Sequence, residues 1–470
     1  MTTVATPKRG FKSRFDNIAN PFLQNSGLPF ASVLDAQSIQ QVFEDQEALF
    51  AEDDLFSTPI VLWAFLAQTL RDGKGAACAA AVADIAAYLV QTGQQPPSGD
   101  TGDYCRARAK LNLTALRHLV RLSAQDLESQ ANLSWLWKGR HAKIVDGFTF
   151  TMPDTPTNQG MFPQLATQTP GVGFPIARVC AITSLATACI CDVAIGPYEG
   201  KETGETALLR QILDSFNNDD IVVFDRYYCS YLMIALLKLR GVDVCARLHQ
   251  ARQCDFRRGF RLGPDDHLVT WHRPQKPDWM SPEEYAQIPE TMELREIRFQ
   301  VTEPGKETEI ITVVTTLTDP AEYSKEDIAD LYGFRWNAEL DILQIKQTLH
   351  LDHVRCKSPE MVLRELWVTL LAYNLIRKLT ATAAAVHDKQ PRHLGFTRAC
   401  QTVLASWMLF STGSCSNPTA MYTTLLKHIA NNEVANRPGR IEPRVLKRRR
   451  HRYPLMKRPR HELQAELGNT

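Results

Sequence analysis

The stretch Leu331-Tyr-Gly-Phe-Arg-Trp-Asn-Ala-Glu-Leu-Asp-Ile-Leu-Gln-Ile-Lys-Gln-Thr-Leu-His350 carries four polar side chains at helical spacing. Tyr332, Arg335, Glu339 and Lys346 follow one another at offsets of three, four and seven residues. At roughly 100° per residue, an α-helix would place all four in one stripe about 60° wide. The sequence therefore predicts a helix with a row of phenol, cation, acid and cation along one side.

The neighbouring side of this helix is apolar, and we expect one continuous helix over Ser324–Leu351. A carboxylate beside Arg, Lys and Tyr suits a metal ion and a phosphate, because the acid binds the cation and the donors bind phosphate oxygens. A purely structural explanation also fits, with solvated charges, a helical Arg335–Glu339 ion pair and a half-buried Tyr332. The apolar residues expected to be buried are Leu331, Phe334, Ala338, Ile342, Ile345 and Leu349.

The order of the four polar residues, Y-x2-R-x3-E-x6-K, resembles the signature of the DDE transposases of bacterial insertion sequences. All four positions match at the intervals of that signature. The resemblance extends over about Arg140–Ile376, with weaker similarity on both flanks. It implies an RNase H-like fold in which two further catalytic aspartates lie upstream, each on a strand.

Two aspartates meet this requirement. Asp146 lies in the alternating segment Lys143–Met152, which predicts a strand. Asp225 follows the short apolar run of residues 221–224, which is typical of a buried strand whose carboxylate emerges at the end. The contexts Val-Asp-Gly and Val-Phe-Asp-Arg look like the first and second acidic motifs of the family, and we expect Arg226 to contact DNA. The alternative is that either aspartate is a turn former or a helix N-cap.

Three carboxylates in a site of this kind suit a hard cation. Oxygen ligands select Mg²⁺, with Mn²⁺ as a substitute. Two such ions can activate a water or a DNA 3′-hydroxyl and stabilise the leaving oxygen at phosphorus. The residues expected to bind the metal and carry catalysis are Asp146, Asp225 and Glu339. The signature residues that the resemblance assigns to DNA phosphates are Tyr332, Arg335 and Lys346.

Tryptophans are candidates for contact with an unstacked base. Relatives form a DNA hairpin at the element end, which requires one base to leave the stack, and a flat aromatic ring can receive it. Trp336 follows the signature arginine and is an expected DNA contact, and Trp271 and Trp279 are further candidates. A place in the core is at least as good an explanation for each of them, except for Trp336.

The composition is that of a globular chain with more than one domain. It has 470 residues, of which 44% are hydrophobic and 22% are charged. No apolar stretch is long enough to span a membrane and the N-terminus lacks an apolar signal core, so we expect a cytoplasmic protein. The resemblance implies a bacterial protein that joins the nucleoid when bound to DNA. The eleven cysteines include no C-x-x-C pair, which favours reduced thiols over a zinc site. The absence of a G-x4-G-K-[ST] loop argues against an ATP-driven motor.

The net charge of +1 conceals a basic segment near the C-terminus. Residues Arg437–Arg460 include eleven Lys or Arg and one acid, and four prolines favour an extended chain. Such a density of positive charge is typical of contact with a polyanion. The tail residues expected to contact DNA are Arg448, Arg449, Arg450 and Arg452.

The order of predicted elements gives an α/β protein. We expect an RNase H-like catalytic domain with a β-rich insertion, flanked by a helical N-terminal domain and a helical and basic C-terminal region. The expected boundaries are 1–135 for a DNA-end-binding domain, 136–376 for the catalytic domain with its insertion at about 250–318, and 377–470 for the C-terminal region with its basic tail at 437–460. Tyr104–Leu122 is predicted to form a helix-turn-helix-like unit with a basic second helix.

These observations predict a cut-and-paste DNA transposase. Its steps would be cleavage, hairpin formation and strand transfer at the ends of an insertion sequence, and its partners would be the element ends, the target DNA and a second copy of the chain in the synaptic complex. Two alternatives remain open. One is an RNase H-like nuclease without strand transfer, and the other is a catalytically inactive DNA-binding derivative.

Overall fold

A computed structural model describes residues 36–50, 55–91, 93–301, 309–352, 354–411, 416–434 and 455–468. Most of the predicted basic tail, residues 437–454, lies outside the described residues. The expected DNA contacts in that part are Arg448, Arg449, Arg450 and Arg452, and they remain predictions from the sequence.

A mixed sheet of nine strands forms the centre of the described chain. The strands are β1 (Ala142–Thr151), β2 (Ile176–Ser184), β3 (Ile190–Pro197), β4 (Ile221–Phe224), β5 (Asp243–Arg247), β6 (Phe260–Gly263), β7 (Asp266–His272), β8 (Thr291–Val301) and β9 (Glu309–Thr315). Their spatial order is β3-β2-β1-β4-β5-β9-β8-β7-β6.

Along the chain, the half of the sheet from β3 to β5 follows the order β-α-β-β-α-β-α-β, in keeping with the α/β class predicted from the sequence. Strands β1, β2 and β3 pair antiparallel as a meander, and β4 and β5 continue the sheet parallel to β1. All four residues of β4 are buried, as expected for a short apolar strand in a parallel sheet. The helices between these strands are α6 (Pro156–Met161), α7 (Glu205–Arg210) and α8 (Tyr231–Lys238).

The predicted β-rich insertion extends this sheet. Its last strand, β9, pairs antiparallel with β5, and β8, β7 and β6 follow outward in hairpin succession. A short helix, α9 (Pro282–Gln287), interrupts the strands, and a Ser281–Glu284 capping box together with Pro282 begins it. Strands β6 to β9 therefore share one sheet with β1 to β5, which fixes their position relative to β4.

Helices before β1 pack onto the same core. They are α1 (Ala36–Asp45), α2 (Thr58–Thr69), α3 (Cys78–Gln91), α4 (Gly102–Arg108) and α5 (Leu113–Ser129). The predicted helix-turn-helix-like unit corresponds to α4 and α5, and the Asn112 side chain caps α5 by accepting from Ala115 N at 2.9 Å. The basic residues of α5 are partly turned inward, since Arg117 donates to the buried Asp192 at 2.8 Å and Arg121 lies 3.8 Å from the same carboxylate.

The predicted single helix over Ser324–Leu351 is wrong in its continuity. The structure has α10 (Lys325–Gly333), a turn at Phe334 and Arg335, α11 (Trp336–Leu343) and a π-helical turn over Gln344–Thr348. Phe334 was expected to be buried but is 41% exposed, because it lies at the break. The rest of the apolar row behaves largely as predicted, with Leu331, Ala338, Ile345 and Leu349 buried and Ile342 partly buried.

The helices after this segment are α12 (Pro359–Val386), α13 (Phe396–Ser411), α14 (Pro418–Ala430) and α15 (Arg460–Gly468). Helix α12 is buried along most of its length, and Asn374 at its middle bonds to two elements, α5 and β3. It accepts from Ile190 N at 2.9 Å and donates to Val120 O at 3.2 Å and Ser123 Oγ at 2.9 Å. Among the described helices, none combines the length and apolar character needed to cross a membrane. The proposed divisions after residues 135 and 376 remain predictions.

Candidate active site

Two adjacent parallel strands bring Asp146 and Asp225 to the same level of the sheet. Val145 of β1 pairs with Phe224 of β4, and each aspartate is the next residue along its strand. Strand β4 ends there, whereas β1 continues to Thr151 against β2. Neighbouring strands lie about 4.8 Å apart, so the two carboxylates start from adjacent backbone positions.

Each aspartate uses one oxygen in a local hydrogen bond. Asp146 Oδ1 accepts from Gly147 N at 2.8 Å, and Asp225 Oδ1 accepts from Tyr227 N at 2.8 Å. These bonds restrict the side-chain rotamers. The second oxygen of Asp146 faces the signature helices, with Oδ2 3.7 Å from Arg335 Nη1.

Arg335 links the strand and helix carboxylates. Its Nη1 lies 3.7 Å from Asp146 Oδ2, and its Nη2 donates to Glu339 Oε1 at 3.1 Å. The helical Arg335–Glu339 ion pair considered from the sequence is therefore present, and it also reaches the β1 aspartate. The Glu339 side chain is 46% exposed, so its carboxylate stays accessible beside this contact. One guanidinium thus occupies the space between two acids that a metal ion could share.

The electrostatics of Asp146 favour a cation. Burial raises the pKa of Asp146 to about 6, Glu205 and Asp225 contribute to the increase, and the Gly147 N–H and Arg335 oppose it. Negative charge is therefore crowded on a partly desolvated group. A dication would relieve this repulsion, and an all-carboxylate donor set fits a hard ion such as Mg²⁺ or Mn²⁺.

Glu205 is a nearby carboxylate that the sequence did not predict. It lies at the start of α7 and accepts a hydrogen bond from the Tyr228 hydroxyl at 3.1 Å. Gly147 permits this approach, because a Cβ at that position would overlap the Glu205 carboxylate. Successive strand residues face opposite sides, so Glu205 approaches β1 from the side away from Asp146 and acts on it through charge. A glycine within a strand was the signal that could have indicated such a close approach.

Two other signature residues lie on separate parts of the broken helix. Tyr332 is 6% exposed, and burial raises its pKa to about 12, with Asp225 adding to the increase and Arg335 opposing it. The phenol therefore stays protonated near neutral pH and can donate a hydrogen bond. Lys346 is half-buried in the π-helical turn after α11, and such turns are frequent at functional sites.

The remaining expected DNA contacts have different environments. Trp336 is 50% exposed, and the Arg335 guanidinium lies 4.9 Å from its ring centroid. Arg226 donates to Gln250 Oε1 at 3.3 Å, which joins the loop after Asp225 to the beginning of the insertion. Trp271 is buried and Trp279 stacks with a guanidinium, so the core explanation fits Trp271 better than contact with a base.

A buried ion cluster, also unpredicted, anchors the helix that carries Glu339. Asp341 of α11 is 1% exposed and accepts from Arg377 of α12 at 3.0 Å. Arg392 lies 2.9 Å from the second oxygen of Asp341 and also donates to the carbonyls of Ser184 and Leu185 at the end of β2. The sequence could have indicated this cluster, because Asp341 lies on the apolar side of the helix, between Ala338 and Ile345, and a buried carboxylate requires a partner.

Comparison with known proteins agrees with this arrangement. Residues 137–375 of the 470 match the family described as "Transposase DDE domain". The transposase InsG of insertion sequence element IS4, from Escherichia coli strain K12, is 26% identical over 353 residues, which cover 74% of this chain and 77% of that protein. The transposase of insertion sequence element IS421, from Escherichia coli, is 37% identical over 85 residues, 18% of this chain and 22% of that protein. The chain belongs to the DDE transposases of bacterial insertion sequences.

One solved structure aligns with most of this chain, but its three-dimensional similarity to the chain is low. The cryo-EM structure of the piggyBac transposase synaptic complex with hairpin DNA covers 92% of this chain and 87% of that chain, with a TM-score of 0.43 and 10% sequence identity. That level of similarity is too low to support an argument about this chain.

Family membership confirms the class of enzyme predicted from the sequence. The protein is a transposase with a DDE domain, which implies an RNase H-like catalytic fold, DNA as the substrate and a requirement for divalent metal ions.

Proposed function

We propose that this chain is a cut-and-paste transposase that cleaves DNA at the ends of its insertion sequence and joins them to target DNA. The observation that carries the proposal is the shared contact of Arg335 with Asp146 and Glu339, beside Asp225 on the neighbouring parallel strand. Carboxylates from separate segments, gathered next to arginine and a neutral phenol, suit phosphoryl transfer.

The proposed metal ligands are Asp146, Asp225 and Glu339, holding two Mg²⁺ ions or Mn²⁺ in their place. When bound, the ions would activate the attacking oxygen and stabilise the leaving oxygen of an in-line displacement. Arg335 would exchange its contacts with the acids for a phosphate oxygen, with the two-pronged geometry that guanidinium offers. Tyr332 would donate its hydroxyl proton in a hydrogen bond, and Lys346 would place a positive charge near the scissile strand.

The same residues would serve nicking, hairpin formation and opening, and strand transfer, because each step is a displacement at phosphorus. Hairpin formation requires one base to leave the stack. The half-exposed ring of Trp336, adjacent to Arg335, would receive it by stacking.

DNA would extend from this site over basic side chains on both flanks. Arg226 lies next to Asp225, and the tail residues Arg448, Arg449, Arg450 and Arg452 lie within a segment of eleven cations. Contacts with phosphates of this kind position the duplex without reading its sequence. We propose that the enzyme works in the bacterial cytoplasm, on element ends and target sites in the nucleoid.

A joining assay with the natural element ends tests the proposed function. A DNA fragment with a pre-nicked end is incubated with the full chain, Mg²⁺ and a supercoiled target plasmid, and covalent products are counted. We expect joined products from the wild-type chain and none from Glu339→Gln. Cleavage of intact ends without joining would instead identify a nuclease. Binding of the ends with neither activity would identify an inactive DNA-binding derivative.

We also propose that two copies of the chain act together in a synaptic complex, because excision requires both element ends and each chain has one set of catalytic carboxylates. If each copy cuts the end bound by its partner, catalytic and binding defects in different chains should complement each other. Glu339→Gln is mixed with a variant chain that has lost the ability to bind element ends, and cleavage is measured. Restored cleavage is the expected result. A single chain on a single end that cleaves at the full rate, identified by mass measurement, would contradict it.

A further inference from the structure

Three side chains of the β insertion meet outside the catalytic site. Cys254 lies in the loop between β5 and β6, His267 lies on β7 and Glu296 lies on β8, where it is the direct cross-strand partner of His267. One ligand atom from each, Sγ, a ring nitrogen and a carboxylate oxygen, lies within 4.8 Å of the other two. His267 and Glu296 are buried, with 1% and 7% of their side chains exposed.

The distances within this cluster match the edges of a metal coordination tetrahedron. Cys254 Sγ lies 3.7 Å from His267 Nε2, and His267 Nε2 lies 3.1 Å from Glu296 Oε2. Bonds of about 2.3 Å from zinc to sulfur and about 2.0 Å to nitrogen or oxygen give ligand-to-ligand edges of roughly 3.3–3.6 Å at the tetrahedral angle. The two edges that involve His267 therefore need shifts of only a few tenths of an ångström, and the third, between Cys254 Sγ and the Glu296 carboxylate, is no longer than 4.8 Å.

Hydrogen bonds to groups outside the cluster orient His267 and Glu296, so that one ligand atom of each points to the centre of the cluster. His267 Nδ1 lies 2.7 Å from the carbonyl oxygen of Arg258, so this nitrogen donates and Nε2 faces the cysteine and the glutamate. Glu296 Oε1 accepts from Trp271 Nε1 at 3.0 Å, which leaves Oε2 for the cluster. Metal-binding histidines and carboxylates in proteins are commonly oriented by second hydrogen bonds of this type.

A neutral imidazole with its proton on Nδ1 would direct a lone pair from Nε2 at the oxygen of Glu296. Two acceptors 3.1 Å apart in a buried position repel each other unless a proton or a cation lies between them. A metal ion between the two acceptors removes this repulsion. It also explains why the Cys254 sulfur lies next to the same nitrogen, His267 Nε2. A His–Glu ion pair alone explains two of the three side chains.

We propose that Cys254, His267 and Glu296 bind one zinc-type ion, with water as the fourth ligand. Sulfur, imidazole and carboxylate together select a borderline dication such as Zn²⁺ over Mg²⁺, which separates this site chemically from the all-carboxylate catalytic group. The sequence does not predict this site, because the three residues are far apart in the chain and lack the closely spaced ligand pairs that identify zinc motifs.

The ion would hold the basic loop between β5 and β6 against strands β7 and β8 of the sheet. The loop that carries Cys254 also carries Arg257 and Arg258, whose side chains are 90% and 86% exposed. Gln250, near the start of the same loop, accepts the hydrogen bond from Arg226 beside the catalytic Asp225. Zinc would thus hold two exposed cations at a fixed distance from the active site, where DNA phosphates are expected.

Metal content and cobalt absorption of the full-length chain test this proposal. The chain is purified from zinc-supplemented cells and its metal is counted by mass spectrometry. We expect on the order of one zinc per chain in the wild type and in Cys105→Ser, a half-exposed cysteine outside the cluster, and much less in Cys254→Ser and His267→Gln. After metal removal, Co²⁺ should produce a thiolate-to-cobalt absorption band in the wild type that Cys254→Ser lacks.

The cobalt band separates this site from the catalytic carboxylates, since those acids contain no sulfur. A wild-type chain that gives no thiolate band with Co²⁺ would overturn the proposal, even if the Cys254 variant fails to fold. Zinc retained equally by Cys254→Ser and the wild type would also overturn it. Neither measurement depends on cleavage, so a negative result leaves the proposed transposase activity to its own test.

Discussion

Replacing Asp146 with asparagine should abolish DNA cleavage and, at the same time, stabilise the chain in the absence of metal. Loss of a metal ligand should reduce cleavage by more than the roughly 10–100-fold that follows loss of outer hydrogen bonds to metal ligands. Burial raises the pKa of Asp146 to about 6, so ionisation of this group opposes folding. Asparagine removes the charge and can still accept from Gly147 N through its side-chain oxygen.

The sign of the pH dependence follows from the raised pKa. A group with a raised folded-state pKa gives its full stabilisation below its ordinary pKa, near 4, and loses it as the pH rises through about 6. The variant should therefore exceed the wild type by about 1–3 kcal/mol in free energy of unfolding at pH 7.5 and match it near pH 4. Urea titrations with EDTA at both pH values measure this.

An exposed aspartate provides the matched control. Asp154 accepts from Gln159 Nε2 at the surface, so Asp154→Asn should change neither cleavage nor stability appreciably. Adding Mg²⁺ should stabilise the wild type and not Asp146→Asn. Retained cleavage by Asp146→Asn, or a metal-free variant less stable than the wild type at pH 7.5, would show that this carboxylate is not a crowded metal ligand.

Replacing Asp341 with leucine should destabilise the chain by about 3–5 kcal/mol, because it leaves buried arginines without their counter-charge. Arg377 and Arg392 contact this carboxylate, and their side chains are 2% and 15% exposed. Cleavage should also fall, since Asp341 anchors the helix that presents Glu339. Equilibrium unfolding in urea and cleavage of element ends measure the two effects separately.

The double variant Asp341→Leu with Arg377→Met should recover part of the lost stability. Replacing both members of a buried ion pair removes the uncompensated charge that the single variant leaves. Asp330→Asn, on the exposed side of α10, is the control and should be close to neutral. An Asp341→Leu chain as stable as that control would contradict the anchoring function of the buried cluster. So would a double variant that is less stable than Asp341→Leu by the full effect of a second, independent substitution.

Local patterns were sufficient to predict most of the strands. The apolar run of β4 and the alternation of β1 each report the environment of a few consecutive residues, so Asp146 and Asp225 could be placed on strands. The register that puts them side by side could not be predicted, because it depends on pairing between segments about eighty residues apart.

Tertiary contacts explain where the sequence predictions failed. The spacing of the signature residues predicted one straight helix. In the structure the helix is interrupted by a turn at Phe334 and Arg335, and Phe334 is therefore exposed. Glu205 and Arg377 reach the site only through packing of α7 and α12, and their own surroundings in sequence are those of ordinary helices. Arg117 of the predicted basic helix has a buried partner in β3, far along the chain, which local sequence could not show, and the DNA-binding function of this unit stays a prediction.

Manganese binding tests the central claim, that Asp146, Asp225 and Glu339 together hold two metal ions. The full chain is saturated with a pre-cleaved element end, and bound Mn²⁺ is counted by electron paramagnetic resonance in the wild type, Asp225→Asn, Glu339→Gln and the Asp154→Asn control. We expect two ions with mutual magnetic coupling in the wild type and the control, because ions sharing a site of this kind lie about 4 Å apart. Each catalytic variant should lose at least one ion and the coupling. Two coupled ions that persist in Asp225→Asn or Glu339→Gln would contradict the account.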